Sequence, residues 1–286
     1  MTISITGHTG FIGSHLKMFF SEKGYTVLGI GRKELRSGNL SSLLSQTDIL
    51  INLAGAPIMK RWTKKHSKAL WNSRIQTTQT LVDALGQANP KPRAFFSASA
   101  VDIYANDEES HQTEEQNTLS NEFLGILCQR WEEEALRARI FCKTYITRIG
   151  VVLGNEGGAL PQMKRPFNMG VGGKIASGKQ KISWIHIDDF ANALLFLIEK
   201  LPDKRVFNFT SPNPVTNEVF SSTLAKSLKK PNIFTVPAFA LKLLYGEGSI
   251  VVLTGRHVLP KNLEDEGFVF SHPHIEQALT DILGPA

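Results

Sequence analysis

Residues 2–13 read TISITGHTGFIG, and this stretch decides the fold. Thr2 to Thr6 alternates and is rich in β-branched residues, the pattern of a short strand. Gly7, Gly10 and Gly13 follow. Then comes SHLKMFFSEKG, in which Leu16, Phe19 and Phe20 recur at helical spacing and Gly24 supplies a stop. Strand, glycine turn and helix together make a cradle for the phosphates of a nucleotide. Gly7 permits the tight turn, Gly10 lets backbone approach a pyrophosphate, and Gly13 lets helix and strand pack closely. Free N–H groups in the helix's first turn face the anion. The spacing is G-x-x-G-x-x-G rather than G-x-G-x-x-G; three glycines alone are weak evidence, and the alternative is an ordinary turn.

The second strand is Tyr25 to Gly31 (YTVLGIG), with Arg32 and Lys33 directly after it. In a dinucleotide fold the carboxylate that holds the adenosine ribose hydroxyls stands about 20 residues beyond the glycines. That region offers Arg32 and Lys33, with Glu34 already past it. A carboxylate repels a 2′-phosphate and a guanidinium pairs with it, so the sequence predicts NADP(H) in preference to NAD(H). Two solvated cations are the plainer reading of the same residues.

Further along, the alternation repeats. Leu40, Leu43 and Leu44 mark a short helix or turn. Asp48 to Ala54 (DILINLA) is a strand ended by Gly55, residues 64–87 carry a long helical pattern stopped by Pro90 and Pro92, and Ala94 begins another strand (AFFSASAVDIY). Asn106 to Gln116 reads as a polar, acidic surface loop, Asn121 to Arg139 as a helix, and Lys143 to Leu153 (KTYITRIGVVL) as a strand. This succession is the signature of an α/β, Rossmann-type doubly wound parallel sheet. Its connections bring Gly7, Gly55, Ser99 and Arg148 to one edge.

Beyond residue 156 the pattern loosens into the glycine-rich GGALPQMKRPFNMGVGGKIASG, 157–178. Lys181 to Ile187 (KISWIHI) resembles an edge strand, Asp188 or Asp189 can cap a helix from Phe190 to Glu199, and Val206 to Thr210 is strand-like. Helices are expected from Thr216 or Asn217 through Leu228, at Ala238 to Tyr245 and at Ile275 to Leu283. The expected division is a dinucleotide-binding domain over 1–156, with 183–211 returning to it. Residues 157–182 and 212–286 would form a smaller mixed lobe that closes on a ligand through Met163, Phe167 and Met169.

Composition narrows the function. A chain of 286 residues with 42% apolar content suits one large domain or two unequal ones. The formal charge of +6 is scattered. The one dense run, Lys60 to His66 (KRWTKKH), passes into a helical pattern and reads as a solvated face, so no nucleic-acid partner is expected. Cys128 and Cys142 are too few for a disulfide framework or a thiolate metal site, and no metal is expected. No run reaches the roughly 18 apolar residues of a spanning helix and no signal peptide precedes the first strand. The expectation is a cytoplasmic protein without membrane association, monomeric or homodimeric, acting on a small molecule.

Several further segments fit one pattern: TGHTGFIG at 6–13, INLAG at 51–55, FSASAV at 96–101, LCQRWEEEA at 127–135, RIGVVL at 148–153, SWIHIDD at 183–189 and NFTSPNPVTN at 208–217. VPAFALKLLYGEGS at 236–249 and VLPKNLEDEGFVF at 258–270 complete it. With these motifs in this order the chain resembles the extended short-chain dehydrogenase/reductase superfamily, in its NAD(P)-dependent epimerase/dehydratase group. Within that group it is similar to the "epimerase family" proteins that carry a C-terminal domain of their own. The resemblance implies that Gly7, Gly10, Phe11, Ile12 and Gly13, with Thr9, carry the cofactor pyrophosphate, and that Leu53, Ala54 and Gly55 line the dinucleotide cleft. Asn39 and Leu40 stand near the pair that holds adenine in relatives, where an aspartate is more usual, and Arg148 is counted with the cofactor-binding residues. Ser99 matches a serine that hydrogen-bonds a substrate carbonyl or hydroxyl. Ser97, two residues earlier, points to the same side of its strand. His186 either anchors the nicotinamide-side loop or makes a structural hydrogen bond.

One departure matters. Members that oxidise and reduce a sugar carbon use Tyr-x-x-x-Lys, in which the lysine lowers the phenol's pKa and the tyrosinate moves the substrate proton. None of Tyr25, Tyr104, Tyr145 and Tyr245 is followed by lysine four positions later; at the equivalent helix the pair reads Cys128 and Glu132. Glu132 is negative where that mechanism wants a cation. It would bind a ribose hydroxyl or pair with Arg130, Arg137 or another base. A thiol beside a carboxylate is not activated, and the plainer reading of Cys128 is a small buried residue. Trp131 is core or a ring against substrate. Two functions fit: an NADP(H)-dependent oxidoreductase or epimerase-like enzyme on a small carbonyl or hydroxyl compound, such as a sugar nucleotide, or a non-enzymatic NADP(H)-binding sensor or interaction protein.

Overall fold

The computed structural model describes residues 1–106, 110–116 and 118–284; the part of the expected acidic loop at 107–109 lies outside them. Strand β1 (Thr2–Thr6) turns at Gly7 into helix α1 (Phe11–Glu22). Then come β2 (Thr26–Ile30), the short helices α2 (Arg32–Arg36) and α3 (Leu40–Leu44), β3 (Ile49–Asn52), α4 (Lys64–Gln87), β4 (Ala94–Ala100), α5 (Phe123–Leu136) and β5 (Lys143–Ile149). The second half holds β6 (Val151–Leu153), α6 (Leu160–Asn168), β7 (Gly173–Ile175), β8 (Lys181–Ile182), β9 (Trp184–His186), α7 (Ile187–Lys200), β10 (Val206–Phe209) and β11 (Val215–Thr216). It ends with α8 (Asn217–Ser227), β12 (Phe234–Val236), α9 (Ala238–Tyr245), α10 (Ile250–Leu253), α11 (Lys261–Asp265) and α12 (Ile275–Leu283).

Among the described residues the main sheet has six strands in the order β10-β5-β4-β3-β1-β2, every neighbouring pair parallel. The winding reverses between β1 and β3, and in open α/β sheets ligands bind beyond the carboxyl ends of the strands at such a point. Both faces are covered, which is why the strands read as near-continuous apolar runs. Adjacent residues of β4 divide between two cores: Phe96 packs with Ile5, Leu16 and Phe190 on the side of α1 and α7, and Phe95 with Leu81, Leu85 and Ala135 on the side of α4 and α5. Removing either ring would cost about 3–5 kcal/mol.

Three expectations change. KTYITRIGVVL is two strands, broken at Gly150, where a Cβ would lie 2.4 Å from the Ser183 carbonyl oxygen. The chain at 183 passes that close because β6 leaves the main sheet to pair with β9, Val151 N–H donating to Ser183 O at 2.8 Å. KISWIHI is accordingly not one edge strand: β8 pairs with β11, β9 pairs with β6, and Trp184 is fully buried. The glycine-rich segment contains α6 and β7. Phe167 lies in a separate core with Leu153, Leu160, Trp184, Phe220 and Leu279, and Met163 packs against it. Of the three side chains expected at a ligand, only Met169 is exposed.

Candidate active site

The glycine turn is built as its spacing requires. Gly7 has φ +68°, a left-handed conformation open to glycine, and a Cβ there would meet Leu53 O at 2.8 Å. A Cβ on Gly13 would come within 2.3 Å of Gly7 O, so α1 lies directly against the turn. Gly10 precedes α1 without a side-chain cap, and Thr9 and Gly10 are exposed, which leaves first-turn N–H groups for an outside acceptor. The Phe11 ring is enclosed by backbone: Cβ atoms on Gly154 and Gly158 would lie 2.7 and 2.8 Å from it. Ile12 packs on the core of the α1 face. These contacts fit a dinucleotide's pyrophosphate, which needs close backbone and unpaired amides rather than side chains.

The loop after β3 is held in place from below. Thr6 Oγ1 accepts from the amides of Leu53 and Ala54 at 3.1 and 3.3 Å and donates to Asn52 Oδ1 at 2.7 Å. Ser73 Oγ accepts the Ala56 N–H at 2.8 Å, and the Arg74 guanidinium donates to Ala56 O at 3.3 Å and to Leu70 O at 3.2 Å. Arg74 is buried, lies over the Trp131 ring at 5.3 Å, and makes no carboxylate pair among the described residues. Burial pushes its pKa down. Gly55 is small because this guanidinium would stand 3.0 Å from a Cβ. At the other end of the cleft, Arg32 and Lys33 are exposed at the start of α2, Asn39 is exposed and makes no side-chain cap to α3, and Leu40 is a core residue. Glu34, placed too far by spacing alone, folds back so that Gly31 N–H donates to it at 2.8 Å.

Where β4 and β5 end side by side, Ser99 is in register with Arg148. Ser99 Oγ donates to Glu132 Oε1 at 2.7 Å. Arg148 forks onto the same carboxylate, Nε to Oε1 and Nη2 to Oε2, both at 2.9 Å. Its Nη1 donates to the Tyr104 hydroxyl at 2.9 Å, which donates to Asn208 Oδ1 at 2.7 Å. All five residues are buried. Burial works to lower the Arg148 pKa, but the hydrogen bonds and charge of Glu132 outweigh it and raise it. Burial pushes the Tyr104 phenol up to about 12, against the pull of Arg148. Burial, then the charges of Asp102 and Glu132, push the Cys128 thiol up to about 12.

The partner of Glu132 is therefore Arg148. Arg130 pairs with Glu133, and Arg137 with Glu134 and Asp83, on the surface. Ser97 is not brought to this group: it accepts weakly from Asn52 Nδ2 at 3.4 Å inside a buried network, in which Thr78 Oγ1 accepts from Asn52 and from Trp131 Nε1 at 2.9 Å each. Trp131 is core. Tyr104 and Arg74 were missed by sequence reasoning. Tyr104 lacks any Lys at i+4, but Arg74 left a signal, a cation at the centre of the stripe Leu70, Thr78 and Leu81 that α4 buries.

His186 caps α7 by accepting the Asp188 N–H at Nδ1, 3.1 Å, a role expected of Asp188 or Asp189. Asp189 instead accepts the amides of Ser271 and His272 at 2.8 and 2.9 Å and ties the C-terminal segment down. His186, His272 and Asp281 bring ligating atoms within 4.8 Å of one another. An Nδ1 that accepts leaves the proton of a neutral ring on Nε2, which faces Asp281 at 3.3 Å. The Asp281 carboxylate of α12 thereby meets the start of α7.

The comparisons agree with this architecture. The model of the NAD dependent epimerase/dehydratase family matches residues 3–209, and a domain of unknown function, DUF1731, matches residues 236–282. An epimerase family protein of Staphylococcus saprophyticus is 38% identical over 98% of both chains. Human epimerase family protein SDR39U1 (isoform 2), solved with NADPH, superposes with a TM-score of 0.89 at 29% identity over 99% of both chains. A nucleoside-diphosphate sugar epimerase from Corynebacterium glutamicum gives 0.80 at 27%, over 99% of this chain and 58% of that one. No helix among the described residues is long and apolar enough to cross a membrane. With its parallel sheet, its glycine cradle and a family match over most of its length, this chain belongs to the NAD dependent epimerase/dehydratase family.

Proposed function

We propose that the chain is an NADP(H)-dependent oxidoreductase or epimerase-like enzyme acting on a small carbonyl or hydroxyl compound, with sugar nucleotides among the candidates. The observation that carries this reading is the Ser99–Glu132–Arg148 chain at the ends of β4 and β5. It offers a proton path that needs neither tyrosinate nor lysine. The cofactor, when bound, supplies hydride exchange. The residues supply the proton. Ser99 Oγ already donates its one hydrogen bond to Glu132, so toward a substrate hydroxyl it is an acceptor. As a substrate alcohol loses hydride, its hydroxyl proton passes to Ser99 while the serine proton passes to Glu132; reduction runs the same path backward. Arg148 holds both carboxylate oxygens and keeps Glu132 aimed at Ser99. Cys128 and Tyr104, both pushed up to about 12, are poor bases at neutral pH.

NADP(H) rather than NAD(H) is supported by Arg32 and Lys33, which make no ion pair among the described residues, and by the NADPH in the human relative. Residues 157–182 and 212–286 are the proposed lid lobe, expected to gain protection from proteolysis when cofactor and substrate bind. The chain acts as a monomer or homodimer in the cytoplasm in this reading. The altered pair, Cys128 and Glu132, favours the second reading, a cofactor-binding sensor without turnover. Cofactor-fluorescence titration followed by a carbonyl and sugar-nucleotide turnover screen separates them. Full cofactor binding with no hydride transfer across the panel selects the sensor.

A further inference from the structure

The basic run at Lys60 to His66 does not stand alone on the surface. Trp62 N–H donates to the Tyr245 carbonyl at 3.1 Å, Arg61 donates to the Leu243 carbonyl, and a Cβ on Gly248 would fall 2.7 Å from the Trp62 ring. The run is thereby fixed against the end of α9, whose sequence AFALKLLY holds one charged residue, Lys242. No residue of α9 is buried. Phe239 and Leu243, four apart and so on one face, are each 74% exposed, and Leu244 beside them is exposed too. Ahead of the helix, Ile233 is 77% exposed, and Phe234 is exposed at the start of β12. β12 pairs with β7, and Met169 and Val171, which lead into β7, are exposed as well. Monomeric soluble proteins rarely gather so many large apolar side chains at the surface, and such a patch marks an interaction site.

The charges around the patch say what it meets. Lys60, Arg61, Lys64, Lys65 and Lys68 are exposed in the run and at the start of α4, Lys229 and Lys230 before β12, and Lys242 within α9; none makes an ion pair among the described residues. Residues 60–68 hold no carboxylate, and 229–247 hold one, Glu247. A second copy of this chain, docked by a two-fold contact, would set these cations against the same cations. Side chains three-quarters exposed project outward and do not line a groove, so they suit a medium that yields to them. A bilayer does: its acyl region takes the apolar groups, while lysine stems reach back to anionic headgroups.

We infer that α9, with Ile233 and Phe234 ahead of it and the basic run 60–68 beside it, is a docking face for an anionic phospholipid bilayer, which the chain binds at its surface without spanning it. Co-sedimentation of the full chain with vesicles of phosphatidylcholine alone, and of phosphatidylcholine with one-third phosphatidylglycerol, tests this. Wild type should pellet with the anionic vesicles, far less with the neutral ones, and come off in high salt. Lys229→Glu combined with Lys230→Glu should weaken binding at least about 25-fold, at about fivefold for each lysine lost. Phe239→Ser and Leu243→Ser, at exposed positions, should each weaken it about tenfold or more, with unchanged thermal unfolding. Arg93→Glu combined with Arg139→Glu makes the same change in net charge from exposed positions at the amino ends of β4 and β5, and should leave binding within about threefold. Equal losses in the two charge-reversed proteins, or binding that neither serine variant alters, mean adsorption of a basic protein by its overall charge and overturn the inference. No binding to the anionic vesicles, or equal binding to neutral ones, also overturns it. Sedimentation velocity covers the other occupant: a wild-type dimer that Phe239→Ser dissociates gives the face to a second copy and removes the bilayer.

Discussion

The Ser99 hydroxyl donates to Glu132 Oε1 across 2.7 Å, so its one proton is committed to a carboxylate and only its lone pairs remain for substrate. Ser99→Ala should therefore keep NADPH affinity and lower kcat/KM by about 10²–10⁴-fold, the usual worth of a positioned acid–base group. Gly10→Ala is the contrasting variant, because a methyl at the pyrophosphate approach should weaken cofactor binding itself. Retained turnover in Ser99→Ala rejects the serine as a relay.

Glu132 and Arg148 are paired with their side chains 9% and 10% exposed, so removing one partner leaves the other charge buried. Glu132→Gln should lower unfolding free energy by about 3–5 kcal/mol. Glu132→Gln combined with Arg148→Met removes both charges and should restore most of that stability without restoring turnover. The two readouts separate bracing from proton transfer. A double variant that is stable and fully active shows that the pair only braces the helix.

The strand–glycine–helix start, the order of strands to β5, and α4 at residues 64–87 were legible because apolar periodicity and glycine spacing are local signals. The break at Gly150 was not, since it is caused by the Ser183 backbone arriving from elsewhere in the chain. The same holds for the site. Ser99, Cys128 and Glu132 could be singled out by position, but Arg148 becomes the partner of Glu132 only when β5 is laid beside β4 and α5. Glycines at 157 and 158 looked like loop composition; in three dimensions they are the space taken by Phe11.

Ser73 and Arg74 hold both backbone groups of Ala56, its N–H and its carbonyl. Ser73→Ala should cost about 1–3 kcal/mol if the Ala56 N–H is left unpaired. Arg74→Met should keep the packing on Trp131 and release the carbonyl. Amide exchange at residues 53–58 is expected to quicken in both variants, with weaker cofactor binding. Unchanged exchange in this loop removes the clasp.

His257 stacks on His111 with ring centroids 4.1 Å apart, and its pKa is pushed down to about 4 by burial, then by the charges of His111 and Lys181. The unfolded chain therefore binds a proton that the folded one refuses between about 6.5 and about 4. Stability from this group is present above the unfolded value and is lost as pH falls through that window. Urea unfolding from pH 7 to pH 4 should show the decline, and His257→Asn should flatten it relative to wild type. Identical slopes in the two proteins mean that carboxylates alone set the acid limit.

Cys128 stands where the resemblance expects a catalytic tyrosine, and its thiol, 4% exposed, packs with Ile103, Tyr104 and Val258. Thiolate, not thiol, is the nucleophile, and burial with the charges of Asp102 and Glu132 raises its pKa to about 12. At pH 8 the fraction ionised is then on the order of 10⁻⁴. Iodoacetamide should leave Cys128 unlabelled in the native protein, while unfolding in urea exposes it; peptide mass spectrometry distinguishes it from the partly exposed Cys142. Cys128→Ser or Cys128→Ala should retain cofactor affinity, and turnover if the Ser99–Glu132 path is used. Rapid native labelling of Cys128 with parallel loss of hydride transfer would move the proton, or a covalent step, onto the thiol and away from Ser99.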